Sequence, residues 1–172
     1  MVEEYLLVDG YNIIFAWEEL KELAAVNIDA ARLSLQDVLC NYQGYRKNHV
    51  IVVYDGYKVK GNPGTVTRYY DIDVVFTKEA ETADSYIEKT SHELSGENQV
   101  TVATSDQLEQ MIIMGHGSRR LSARELKREI DQVNRLIHER HLNQTARNQN
   151  LLFHHASPEV AQLLEDIRLN KK

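Results

Sequence analysis

The sequence predicts an α/β fold, a mostly parallel central sheet with helices on both faces, and three observations carry that prediction. Four short segments, "EYLLVD", "HVIVVYDG", "DIDVVFT" and "QVTVATSD", are built on apolar runs rather than a strict apolar–polar alternation. Strands of that kind belong to sheets covered on both faces. The segments between them carry apolar residues at three- and four-residue steps, as helices do. The two kinds of segment alternate along the chain, which is the order of a parallel sheet with crossover helices.

The elements follow in order. Glu4 to Asp9 is a first buried strand. Residues 28 to 46 form a helix, because Ala31, Leu35, Val38, Leu39 and Tyr42 share one face. Residues 49 to 56 form a β-branched second strand ended by Asp-Gly. Residues 56 to 70 read as a long loop around Gly61-Asn62-Pro63-Gly64. Residues 71 to 77 form a third strand, 82 to 94 a helix, and 99 to 106 a fourth strand followed by the helix "DQLEQMIIM". Ser122-Ala123-Arg124-Glu125 has capping-box spacing and starts a helix expected to reach about His141. Ser157-Pro158-Glu159 starts a last helix through Ile167. The expectation is a single domain over 1–172, with a core at 4–140 and a helical extension at 141–172.

Composition narrows the functional classes. The 172 residues are enough for one buried core, and 42% hydrophobic with 27% charged is ordinary for a soluble globular chain. No apolar run reaches the length of a membrane span. The acidic start MVEEY has no signal-peptide pattern, and the single cysteine, Cys40, excludes an internal disulfide. The expected setting is cytoplasmic, without a membrane partner. The net charge of −6 is uneven. Residues 1–116 hold 9 Lys/Arg against 19 Asp/Glu, a balance of −10; residues 117–172 hold 11 against 7, a balance of +4. A basic C-terminal part on an acidic body suggests a polyanionic partner, although a solvated helix surface would read the same way.

The chemistry gathers at the strand ends. Asp9 ends the first strand, Asp55 the second, and Ser105 with Asp106 the fourth; Asp84 opens the helix after the third. Right-handed crossovers bring the carboxyl ends of parallel strands to one edge, where α/β sheets bind ligands. Taken singly, each aspartate also fits a turn or a helix start. Together on one rim they repel each other unless a cation sits among them, and hard oxygen ligands suit Mg²⁺ or Mn²⁺, one ion or two. Such a site binds a phosphodiester and activates water. Asn12, one helical turn beyond Asp9, adds a carboxamide without charge, and Gly10 would let the backbone pass close to a ligand.

Here the residues reach a family. "LLVDGYNII", "VVYDG", "ETADSYIE" and "VATSDQLEQ" stand in the order found in YacP-like NYN domains, and the chain resembles that branch of the PIN-like nucleases from about residue 4 to 140. The resemblance implies a metal-dependent endoribonuclease of PIN-like fold. It assigns metal binding and catalysis to Asp9, Asp84 and Asp106, with Asn12 as the asparagine of the opening motif. Asp55, Glu81 and Ser105 are rim positions. It also implies messenger RNA presented on the ribosome as substrate, and no DNA partner.

Two stretches could hold RNA. The 56–70 segment carries Tyr57, Lys58, Lys60, Arg68, Tyr69 and Tyr70, which combine phosphate-neutralising cations with stacking faces. Arg119 and Arg120 precede the capping box, and Arg124, Lys127 and Arg128 follow it. The alternatives are a solvated loop and a solvated helix face. His154 and His155 lack partners for a zinc site, and Cys40 reads as core.

Two other functions fit less well. A non-catalytic RNA- or ribosome-binding module would use the same cations but would be indifferent to Asp9. A receiver-like phosphoacceptor would need an aspartate ending the third strand, where Thr77-Lys78 stands. Neither GxGxxG nor GxxxxGK[ST] occurs.

Overall fold

A computed structural model describes residues 1–56, 63–105, 117–155 and 162. Six strands, β1 (Glu4–Asp9), β2 (His49–Tyr54), β3 (Thr65–Tyr69), β4 (Ile72–Phe76), β5 (Gln99–Ala103) and β6 (Arg119–Leu121), form one sheet in the order β3-β4-β2-β1-β5-β6. All neighbours are parallel except β3 and β4. From β1 the chain builds outward through β2 to β4 and β3, then returns to the other side of β1 with β5 and β6. Strand order therefore reverses between β1 and β5, the position at which α/β sheets open a crevice at their carboxyl edge.

The strands are apolar on both sides because both sides are covered. Leu7, Val53, Val75, Val100 and Val102 pack with Ala83 and Ile87 of α4 (Ala83–Leu94). Side chains one residue along point the other way. There Tyr54 lies against Gly10 and reaches the Arg32 carbonyl, within α1 (Gly10–Ala16) and α3 (Ile28–Arg46). Between them, α2 (Glu18–Val26) is separated from α1 by Trp17 alone.

Caps explain several boundaries. Asn27 Oδ1 accepts from Ala30 N at 3.1 Å and starts α3; Lys47, in the left-handed region at φ 60°, ends it. The capping box forms as its spacing requires. Ser122 N donates to Glu125 Oε2 at 2.8 Å, and Glu125 N donates to Ser122 Oγ at 3.3 Å. It starts α5 (Ala123–His155), whose Leu126, Ile130 and Val133 are buried one turn apart.

Three expectations change. The 56–70 loop contains β3, because Tyr70, at φ 50°, turns the chain so that Thr65–Tyr69 pairs antiparallel to β4. β3 is an edge strand with most side chains exposed, so it lacks the apolar run that marked the others. α1 and α2 fill 10–26, where the sequence reading assigned no element. α5 passes the expected end at His141, since no proline or glycine interrupts 142–155. The helix after β5 lies outside the described residues, as does the last helix from Ser157 except for residue 162, which is helical. By its contacts the chain divides into two units, Met1–Val133 and Asn134–Lys172. No helix among the described residues is long and apolar enough to cross a membrane.

Candidate active site

Asp9 is the last residue of β1 and the N-cap of α1. Its Oδ1 accepts from Asn12 N, and its Oδ2 from Asn12 Nδ2, each at 3.2 Å. Asn12 Oδ1 in turn accepts from Ser105 Oγ, just beyond β5. This chain of contacts crosses the β1–β5 reversal and fixes which way the Asn12 amide faces. Asp9 is only 5% exposed.

Asp84 comes from the first turn of α4. The helix start is held twice. Thr82 Oγ1 accepts from Ser85 N at 3.2 Å, and Asp55 Oδ1 accepts from Ala83 N at 2.6 Å. Asp55 therefore ties the end of β2 to the residue before Asp84. This brings the Asp84 carboxyl within hydrogen-bonding reach of Asp9.

The electrostatics follow from burial and from that pairing. Desolvation pushes the Asp9 carboxyl up to about 7; the two bonds from Asn12 pull it down, and Asp84 raises it again. A buried carboxyl with a second carboxyl beside it is relieved by a shared proton or by a cation. The donors are all oxygen, the set Mg²⁺ and Mn²⁺ prefer. The residues present thus fit a hard divalent ion. Among the described residues no group of three acidic, histidine or cysteine side chains converges. Asp106, the third expected ligand, lies outside the described residues.

The other expected residues are distributed unevenly. Glu81 precedes α4, and its N–H donates to Lys78 O at 3.1 Å. Tyr57, Lys58 and Lys60 lie outside the described residues. β3 runs antiparallel, so Arg68 and Tyr69 sit at its far end, opposite Asp73 and Ile72 at the amino edge of the sheet. There Arg68 pairs with Asp73 at 3.7 Å, and Tyr69 donates to Asp37 at 2.7 Å. Arg119 also points away from the aspartates. It pairs with Glu129 at 3.0 Å and lines a cavity of about 320 Å³ with Glu4, Asn98 and Gln99, residues at or beside the amino ends of β1 and β5. Arg120 contributes to the field on Glu125.

Arg124 is placed differently. With Lys127, Arg128, Ser122 and Trp17 it lines a groove of about 750 Å³ that also takes in Ser105. The groove thus touches the Ser105–Asn12–Asp9 chain. Trp17 Nε1 donates to Ala123 O at 2.9 Å, and Lys127 Nζ lies 5.2 Å from the Trp17 ring centroid. One wall is cationic and the other carries Glu18 and Glu19, with Lys127 and Glu19 3.5 Å apart.

Sequence reasoning missed a cluster behind the site. Arg32 lies 6.0 Å from the Tyr11 and Tyr54 ring centroids and 5.5 Å from that of Phe76, and donates to Tyr11 Oη at 2.7 Å. Gly10 has a reason other than ligand approach. A Cβ there would stand 2.2 Å from Tyr54 Cε1. The signals were the tyrosines of "DGYN" and "VVYDG", each within two residues of an aspartate.

A mostly parallel sheet with acidic residues at its carboxyl edge is the architecture expected of the PIN-like nucleases, the superfamily to which NYN domains belong. Residues 6–169 match the YacP-like NYN domain, and the chain belongs to that family. It is 47% identical over 138 residues to YacP of Bacillus subtilis (strain 168), covering 80% of this chain and 81% of that one. Crystal structures of Rae1 (YacP) from Bacillus subtilis are similar to it. A point mutant gives a TM-score of 0.73 at 43% identity, over 83% of this chain and 84% of that one. A second structure gives 0.71 at 41%, over 96% and 95%.

Proposed function

We propose that this chain is a Mg²⁺- or Mn²⁺-dependent endoribonuclease that acts in the cytoplasm on messenger RNA presented by the ribosome. The observation that carries the reading is the Asp9 carboxyl, buried at the sheet's reversal point, restrained by Asn12 and approached by the exposed Asp84. A binding module gives no reason to bury the Asp9 carboxylate with a second carboxylate beside it. Asp9 and Asp84 would hold the ion, with Asp106 as the third ligand. A bound ion supplies neutralisation of the phosphate and a lower pKa for its water.

The chain's own groups do the rest. Asn12 holds both oxygens of Asp9 in one orientation, and Ser105 keeps the Asn12 amide from turning. Asp55 holds the start of α4 so that Asp84 stays opposite Asp9. Arg124, Lys127 and Arg128 would take phosphates flanking the cut. Hydrolysis of this kind leaves 5′-phosphate and 3′-hydroxyl ends. An acidic body binds bare RNA poorly, which is why a partner presenting the strand is part of the reading.

The test is end-mapping of messenger RNA in a purified translation system and of the same RNA alone. Cuts that need Mg²⁺ or Mn²⁺, vanish with EDTA and are lost in Asp9→Asn are expected, strongest on ribosomes. Cuts indifferent to Asp9 would overturn the assignment of the site. Equal cutting of naked RNA would overturn the ribosomal part.

A further inference from the structure

The buried face of α1 is Gly10, Ile13 and Ile14. Phe15 lies off that face and is 56% exposed, the only phenylalanine among the exposed large apolar residues described. It is three residues beyond Asn12 and four beyond Tyr11, which places all three side chains along one flank of the short helix. The Phe15 and Tyr11 rings stack with centroids 6.4 Å apart and planes 30° apart. Tyr11 is itself held. Its ring meets Tyr54 edge-on at 5.1 Å, and its hydroxyl accepts from Arg32 at 2.7 Å. An exposed aromatic ring is thus backed by a second ring that is fixed in place, one helical turn from the amide that orients Asp9.

We propose that Phe15, backed by Tyr11, is a stacking platform for one unpaired nucleobase of the substrate strand next to the phosphate being cut. This rests on the nuclease reading above and adds a specificity to it. A base must leave its helix to lie on the ring, so the platform selects RNA that is single-stranded at the cut. A flat apolar face suits every base and gives no hydrogen-bond readout, so the selection is for unpaired RNA rather than for sequence. A rigid ring also loses little freedom on binding. The Arg32 guanidinium, 6.0 Å from the Tyr11 centroid and paired with Asp29, holds the Tyr11 ring from behind.

The experiment uses the full chain carrying Asp9→Asn, so that RNA is bound but not consumed. Single-stranded RNA oligonucleotides carry one 2-aminopurine, moved through successive positions, and stacking is read as quenching of its fluorescence. One or two adjacent positions should quench strongly. Adding Phe15→Ala should abolish that quenching and weaken binding about tenfold, whereas Phe15→Trp should keep both. In the otherwise wild-type chain, Phe15→Ala should lower cleavage of single-stranded RNA while a duplex stays uncut in both. RNA bound and cut with no position dependent on Phe15 overturns the platform and leaves the nuclease intact. No quenching at any position, with messenger RNA left uncut on ribosomes as well as free by the Phe15-containing chain, overturns the nuclease reading and the platform with it; no quenching with ribosomal cutting that is unchanged by Phe15→Ala overturns the platform alone. Self-association that disappears with Phe15→Ala, with RNA binding unchanged, makes the ring a protein contact and also overturns the proposal.

Discussion

Asp55 Oδ1 accepts from the backbone N–H of Ala83 at 2.6 Å, joining the end of β2 to the first residue of α4. This bond fills one of the donors a helix start leaves open. Asp55→Ala should cost about 1–2 kcal/mol of stability. It should also weaken metal binding through Asp84, roughly tenfold by analogy with lost supports of metal ligands. Asp55→Asn keeps an acceptor oxygen and should lose much less. Urea melts and Mn²⁺ titrations on the three proteins check this; equal metal affinity in all of them would remove Asp55 from the site.

Removal of the Asp9 charge should reduce cleavage on the order of 10³-fold or more. Asn12→Ala should lower it less, because the backbone N–H of residue 12 still reaches Asp9. The loss of the amide bond should move the Asp9 carboxyl further up, since that bond is among the forces pulling it down. Single-turnover rates over a pH series would show the Asn12→Ala profile shifted to higher pH.

The metal-free protein should weaken as pH rises. The folded Asp9 carboxyl is raised to about 7 from an ordinary value of 3.8, so the fold favours its neutral form. That contribution is fully present below about pH 4 and is lost as pH rises through about 7. In EDTA, the melting temperature of the wild type relative to Asp9→Asn should fall across that window. Adding Mn²⁺ above pH 7 should restore the wild type and leave Asp9→Asn nearly unchanged.

The two arginine positions read from one sequence stretch should separate. Arg124 lines the groove that reaches Ser105, whereas Arg119 is paired with Glu129 by the other cavity. Arg124→Ala should weaken RNA binding several-fold and reduce its salt slope by about one charge, roughly 0.7 for single strands. Arg119→Ala should leave both unchanged. Filter binding over a salt series is the measurement.

Gly10→Ala should destabilise the fold by about 1–3 kcal/mol, the range for overpacking a close contact. The added methyl would meet the fully buried Tyr54 ring, which is itself packed on Tyr11 and Phe76. Gly10→Ala combined with Tyr54→Leu should recover part of the loss. No recovery would show that the ring is not what excludes the methyl.

The sequence by itself determined the parallel α/β class, β1, β2, β4 and β5, the α3 and α4 helices, and the capping box at Ser122. Each rests on local patterns: an apolar run, a periodic face, or a cap three residues from its partner. It also put Asp9, Asp55 and Ser105 at strand ends, because a strand's end is local too. Tertiary structure decided what those residues touch. The Asp9–Asp84 approach, the Ser105–Asn12 bond and the Asp55–Ala83 tie join residues 28 to 93 positions apart, and no local pattern encodes such distances. The antiparallel turn at Tyr70 likewise sent Arg68 and Tyr69 to the edge opposite the aspartates, although in sequence they follow Asp55 closely. Pairing direction is set by where a strand finds unsatisfied hydrogen-bonding partners, which belongs to the assembled sheet and not to the segment.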